Sequence, residues 1–286
     1  MTGRHPLWHH RPGRLLGHLL FSPLQKLLNR VPHWGYGLAR PELTRLVCHH
    51  PPLRGRRAVQ LTDLHVDRYT ARHDYVAHAV ADLRPDWIFV TGDLLNLPDG
   101  LPHLFRFLGR LRQTAPVFIT LGNHDHFSGV PIERFQDLAS QQDVTLLVNE
   151  TALVRIGHGE LAVIGVDDPS LGLARLPEIG ARTDRRFTLL LAHAPNITDT
   201  LQPHHAIDLV LCGHSHGGQW RLPCLPPFWL PPGCQGRASG LYDVGCHRLY
   251  VNRGLGWSVL PVRWNCPPEI LVLEWVDRVG LSRQAA

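Results

Sequence analysis

The chain has 286 residues, of which 44% are hydrophobic and 19% charged, with six cysteines and a formal net charge of +5. That length and apolar share give an ample core and exclude global disorder. The cysteines form no C-x-x-C pair, so a zinc ribbon is excluded and reduced thiols are expected in place of a disulfide framework.

The charge is unevenly placed. Residues 1–58 hold ten Lys/Arg against one acid, Glu42, for a net +9, whereas the remainder is net −4. Residues 1–40 read as a basic amphipathic segment. Leu15, Leu16, Leu19, Leu20, Phe21, Leu24, Leu27, Leu28 and Val31 are interleaved there with Arg14, Lys26 and Arg30. Ser22 and Pro23 mark a helix start, and Pro32 closes the helix after Arg30. An apolar face with basic flanks suits an anionic membrane surface, or docking on the protein's own domain. No apolar run approaches the roughly 20 residues that span a bilayer. Aromatic residues in a stacking arrangement are missing, so nucleic acid is not an expected partner. The expected location is cytoplasmic, with peripheral attachment to the inner face of the cell membrane.

Residues 41–286 read as one catalytic domain. Glu42–Cys48 is an expected strand, and Pro51–Gly55 a loop. Ala58–Thr62 is a strand ending in Asp63-Leu64-His65, followed by a helix over Asp74–Leu83. Asp86–Thr91 ends in Gly92-Asp93 and precedes a helix over Leu101–Gln113. Val117–Leu121 ends in Gly122-Asn123-His124-Asp125, before a helix over Ile132–Gln141. Strands alternating with helices imply βαβ units and a largely parallel sheet. From there the pattern turns to close-spaced strands, Val144–Val148, Thr151–Ile156 and Leu161–Val166, with a hairpin at Gly157-His158-Gly159. Thr188–Ala192 precedes His193, and Ile207–Cys212 precedes Gly213-His214-Ser215-His216. Strands are further expected at Gln219–Leu222, Arg237–Tyr242, Arg248–Asn252 and Ile270–Trp275. The Pro-rich stretch Gly213–Gly240 reads as a long loop beside the ligands, where substrate pockets are often shaped. The whole gives an α/β fold of two packed mixed β-sheets flanked by helices.

Five apolar strands thus end in metal-ligand residues. Buried strands read as continuous runs of Val, Ile and Leu, and ligands gather beyond their carboxyl ends. Oxygen and nitrogen donors without thiolate suit Mn, Fe, Zn or Mg. A pair of such cations suits in-line phosphoryl displacement.

D-x-H, G-D, G-N-H-D, a lone His and G-H-x-H in this order resemble the calcineurin-like metallophosphoesterases, over about Arg57 to Ile270. The resemblance implies a four-layer sandwich and a phosphohydrolase with two divalent metal ions. By motif, Asp63, His65 and His216 would hold one metal and Asn123, His193 and His214 the other, with Asp93 bridging. His124 would polarise the phosphoryl group or protonate the leaving oxygen, and Asp125 would orient it. Thr62 stands where family members normally carry Ser. A narrower likeness runs through Gly213–Gln219, Ser239–Tyr242, Tyr250–Gly256 and Pro268-Glu269-Ile270. These stretches are similar to a bacterial membrane-associated branch that includes UDP-2,3-diacylglucosamine pyrophosphohydrolases of lipid A synthesis. It implies a lipid nucleotide as substrate, the alternative being a soluble nucleotide phosphodiesterase or a phosphoprotein phosphatase. Arg253 and Arg263 are candidates for binding substrate phosphate, because guanidinium forks pair with it bidentately, the alternative being that Arg253 packs or caps a strand end.

Overall fold

A computed structural model describes residues 40–178, 183–222, 224–257 and 263–277. The expected amphipathic segment, with its Ser22–Arg30 helix, lies outside these residues except for Arg40. In chain order the strands are β1 (Glu42–His49), β2 (Arg57–Leu61), β3 (Trp87–Thr91), β4 (Val117–Thr120), β5 (Thr145–Leu146) and β6 (Glu150–Ile156). They continue with β7 (Gly159–Gly165), β8 (Arg186–Leu191), β9 (Leu209–Cys212), β10 (Gly240–Val244), β11 (His247–Val251) and β12 (Glu269–Val276). The helices are α1 (Ala71–Asp82), α2 (Leu101–Arg112), α3 (Asn123–Phe127) and α4 (Ile132–Gln141).

The strands form two six-stranded sheets, ordered β1-β12-β2-β3-β4-β5 and β10-β11-β9-β8-β7-β6. Both are mixed: β2 to β5 run parallel, as do β7, β8 and β9, while β12 is antiparallel to β2 and β6 to β7. Side chains alternate across each strand, so a strand buried on both faces feeds two cores. In β3, Trp87 and Phe89 point between the sheets, whereas Ile88 and Val90 pack under the helices. In β8, Phe187, Leu189 and Leu191 enter the inter-sheet core and Leu190 the outer one. Helices α1, α2 and α4 cover the first sheet through Val80, Leu104, Leu108 and Phe135. Among the described residues the second sheet is covered by irregular chain, including the short 3₁₀ stretch Pro195–Thr200.

Two buried polar links set the sheets against one another. Gln60 of β2 donates through its amide to Cys212 O of β9 (3.1 Å) and to Thr91 Oγ1 of β3 (2.9 Å), and it accepts from Asn252 Nδ2 (3.4 Å). Thr120 at the end of β4 donates to Val166 O, beyond β7. Register places the carboxyl ends of β2, β3 and β4 side by side, and those of β8 and β9 likewise. The two rows meet along one edge.

Some expected elements differ. Gln219–Leu222 is no strand; it contributes a single bridge, Trp220 to Trp264. The strand expected at Arg237–Tyr242 begins only at Gly240, since Cys234 to Ser239 form turns. Val144–Val148 shortens to two residues. Helix α3, unforeseen, opens at the G-N-H-D motif itself.

Candidate metal centre

The ligand-type residues occupy the loops directly after β2, β3, β4, β8 and β9. The backbone there is unusual. Asp63, His65, Asp93, His214 and His216 all have positive φ, at 51°, 48°, 50°, 70° and 48°. L-residues seldom adopt this region, and holding several there requires that surrounding packing dictate it. The turns are stitched together by hydrogen bonds from Asp63 N to Gly92 O (3.1 Å) and from His65 N to Asp93 O (3.0 Å). His214 N donates to both Asp63 carboxylate oxygens, at 3.1 Å each. Gly122 permits a close approach: a Cβ there would collide with Asp93 Oδ1 and lie 2.8 Å from His193 Cγ.

Two donor groups result. Ligand atoms of Asp63, His65, Asp93 and His216 lie within 4.8 Å of one another, as do those of Asp93, His193 and His214. Asp93 belongs to both. Its Oδ2 is 3.6 Å from His65 Nε2 and 3.3 Å from His193 Nε2, while Asp63 Oδ1 is 3.2 Å from His216 Nε2. Asn123 sits on the neighbouring helix start, buried, with its Oδ1 unpartnered.

Three imidazoles have one ring nitrogen engaged outward. His65 Nδ1 meets Asn96 Oδ1 at 2.7 Å, His193 Nδ1 meets Thr91 O at 3.0 Å, and His214 Nε2 meets Pro232 O at 2.8 Å. Each acceptor draws the ring proton to itself, which turns the other nitrogen's lone pair inward. His193 Nε2 then stands 3.0 Å from His214 Nδ1, and His65 Nε2 stands 3.3 Å from His216 Nε2. In the His193–His214 pair, where both outward nitrogens are engaged, lone pairs so close repel unless a positive charge lies between them. Opposed imidazoles, shared carboxylates and the orphaned Asn123 oxygen all fit divalent cations.

The electrostatics agree for three of the four ligand imidazoles. Burial drives His65 down to about 3 and His214 to about 4, with His193 assisting the latter. Burial, joined by His65, also holds His216 well below its ordinary range. Burial would raise Asp93, but the neighbouring imidazoles of His193, His124 and His65 outweigh it and hold the carboxyl well below its usual value. Asp63 is pushed up by burial and by the Asp93 charge. His193 runs the other way: burial would lower it, but the Asp93 carboxylate outweighs burial and holds it well above its ordinary range. A cation placed here meets three neutral imidazoles and an ionised central carboxylate, and it takes the place of the His193 proton.

His124 is half-buried at the rim. Its ring stands edge-on to His65 at 4.9 Å, and its backbone N–H donates to Asp93 Oδ1 at 2.9 Å. The expectation that Asp125 orients His124 is corrected. The Asp125 carboxylate accepts instead from Leu94 N (2.9 Å), Leu95 N (3.2 Å) and Gly122 N (2.8 Å), so it locks the β3 and β4 loops together. The two arginines are corrected as well. Arg253 pairs with Glu42 at 2.9 Å and with the buried Glu269 at 3.1 Å. Arg263 donates to Gly256 O (2.8 Å) and Arg253 O (2.7 Å). Their guanidinium groups hold together the loops beneath the centre, since fixed carboxylates and carbonyls satisfy them better than a transient phosphate. Sequence reasoning missed Asn96 and Asp67: Asp67 accepts from Asn96 N (3.1 Å) and Asn96 Nδ2 (3.0 Å), which steadies the amide behind His65. The only trace in the sequence was a second aspartate two positions after His65.

The sequence profile of the calcineurin-like phosphoesterases matches residues 56–218. The chain belongs to that family. This phosphoesterase is 32% identical over 231 residues to the metallophosphoesterase YkuE of Bacillus subtilis strain 168, covering 76% of this chain and 78% of that one. It is 29% identical over 222 residues to the phosphodiesterase YaeI of Escherichia coli K12, covering 76% and 80%. Among solved structures it is similar to TT1561 of Thermus thermophilus, with TM-score 0.45 and 13% identity over 70% of this chain and 90% of that one. The phosphoesterase is a hydrolase acting on phosphoric esters, with a candidate site for two metal ions of open identity. No helix among its described residues is long and apolar enough to cross a membrane.

Proposed function

We propose that the chain hydrolyses a phosphodiester or pyrophosphate bond carried by an amphiphilic substrate, such as a lipid-linked nucleotide of the UDP-2,3-diacylglucosamine kind. The carrying observation is the meeting of two donor groups on the shared Asp93. Asp63, His65, Asp93 and His216 would hold one cation, and Asp93, Asn123, His193 and His214 the other. Cations bound there would supply Lewis-acid stabilisation of the phosphoryl oxygens. His124, at the rim and free of any ligand role, is placed to hand a proton to the departing oxygen. Asn96, Thr91 O and Pro232 O hold the imidazoles in the tautomers that binding needs. The amphiphilic part of the reading is supported by Trp220 and Trp229, which line a recess together with the ligand His216. The basic amino-terminal segment would keep the enzyme at the anionic inner face of the cell membrane.

The test is metal content together with turnover of an aryl phosphodiester and of the lipid nucleotide in Mn. His124→Ala should keep its metal and lose about 10²-fold or more in rate. Asp93→Asn should lose both metal and activity. A metal-stripped wild type that turns over normally sinks the proposal, and turnover of the soluble ester alone removes its lipid half.

A further inference from the structure

The segment that follows the ligand His216 is unusual in what it leaves in water. Leu222, Leu225, Phe228 and Trp229 are 47%, 56%, 73% and 48% exposed, and Trp264 beside them is 59% exposed. Three of them are tied to Trp220. Phe228 stacks on the Trp220 ring at 6.4 Å, Trp229 shares its recess, and Trp264 is bridged to it through the backbone, with Arg221 N donating to Trp264 O at 3.0 Å. A contiguous apolar patch of this kind on a soluble surface marks an interaction site.

Three features decide what covers it. From Gln219 to Leu230 the chain has no acid and one arginine, Arg221, so the patch complements a negative surface. Pro226, Pro227, Pro231 and Pro232 lack backbone N–H groups, which lowers the cost of placing this backbone where no water can satisfy it. Trp, Phe and Leu beside arginine is also the composition that settles at the boundary between headgroups and acyl chains.

We infer that Trp220, Leu222, Leu225, Phe228, Trp229 and Trp264 form a docking surface for an anionic lipid bilayer, which brings the metal centre against esters held in that bilayer. This rests on the phosphoesterase reading for its purpose but not for its test. The backbone joins the two functions directly, because Pro232 at the base of the loop accepts from the ligand His214 at 2.8 Å.

The full-length protein is sedimented with vesicles of equal parts phosphatidylcholine and phosphatidylglycerol, and with pure phosphatidylcholine vesicles. Wild type should bind the anionic vesicles in preference. Leu225→Asp combined with Phe228→Asp should weaken that binding at least roughly tenfold, through lost apolar burial and added negative charge. Turnover of a soluble aryl phosphodiester should be unchanged in this variant, which shows the fold and centre intact. Should the double variant lose the soluble ester as well, Trp264→Ser carries the test from the far edge of the patch and must also weaken binding. Vesicle binding undiminished in these variants overturns the inference, as does wild type that binds neither vesicle. Wild type that binds vesicles yet hydrolyses no phosphoric ester leaves the docking surface standing and removes the proposed reaction.

Discussion

Asp125 shows how far a residue's role can lie from its motif. It is adjacent to His124, yet its carboxylate serves three backbone N–H groups from two loops. Burial, with the Asp93 charge behind it, pushes its carboxyl up to about 8, against the pull of those N–H groups. Asp125→Ala would orphan three buried donors, at about 1–3 kcal/mol each. We expect a clear fall in melting temperature and loss of bound metal, where His124→Ala lowers turnover with little change in melting temperature. Calorimetry on the two variants separates the roles. Next to them, His126 Nε2 meets Asp167 Oδ1 at 2.6 Å. That hydrogen bond raises the His126 pKa despite partial burial. A raised folded-state value means the pair stabilises fully below the ordinary histidine value near 6.5 and loses its contribution as pH rises through the shifted value. Asp167→Asn should therefore cost more stability at pH 6 than at pH 9, as denaturant titrations at the two pH values would show.

At the scale of elements, the strands feeding the centre were legible because they are buried on both faces and read as unbroken apolar runs. Ile88–Val90, Val117–Ile119 and Leu189–Leu191 needed no context. The donor residues beyond them were legible for a related reason: Asp, Asn and His have no business at the end of a buried strand unless something binds them. What escaped the sequence was everything set by tertiary packing. The left-handed backbone at Asp63, His65, Asp93, His214 and His216 follows from loops pressed together and has no local signal. Arg253 beside glycines looked like a phosphate fork, but its partners Glu42 and Glu269 come from distant positions. Gln60 is another such residue, a polar side chain fully buried in a strand interior. It joins β2 to β3 and to β9 of the other sheet. Gln60→Leu keeps the volume but leaves Cys212 O without that donor, so a loss of about 1–3 kcal/mol is expected. Metal affinity should drop along with it, because the sheets carry different ligands. Metal titration followed by melting temperature measures both.

For the whole molecule, the distribution of donors matters more than their number. Each half of the centre draws on both sheets, with Asp63, His65 and Asp93 from one and His193, His214 and His216 from the other. Cations that bind only the folded chain stabilise it by mass action. Chelation should lower the melting temperature, and Mn should restore it in proportion to the logarithm of its concentration. A melting temperature indifferent to chelator would mean that the sheets hold their registration unaided.

The position of β12 between β1 and β2 has a consequence for biosynthesis. A ribosome releases Glu42–His49 and Arg57–Leu61 long before Glu269–Val276, so the first sheet has a gap in it for most of translation. β1 has no neighbour until that gap is filled, and the Arg57–Leu61 edge that later receives β12 stays open to stray pairing. Nascent chains stalled ahead of residue 269 should therefore recruit holdase chaperones, and release of the final strand should let them go.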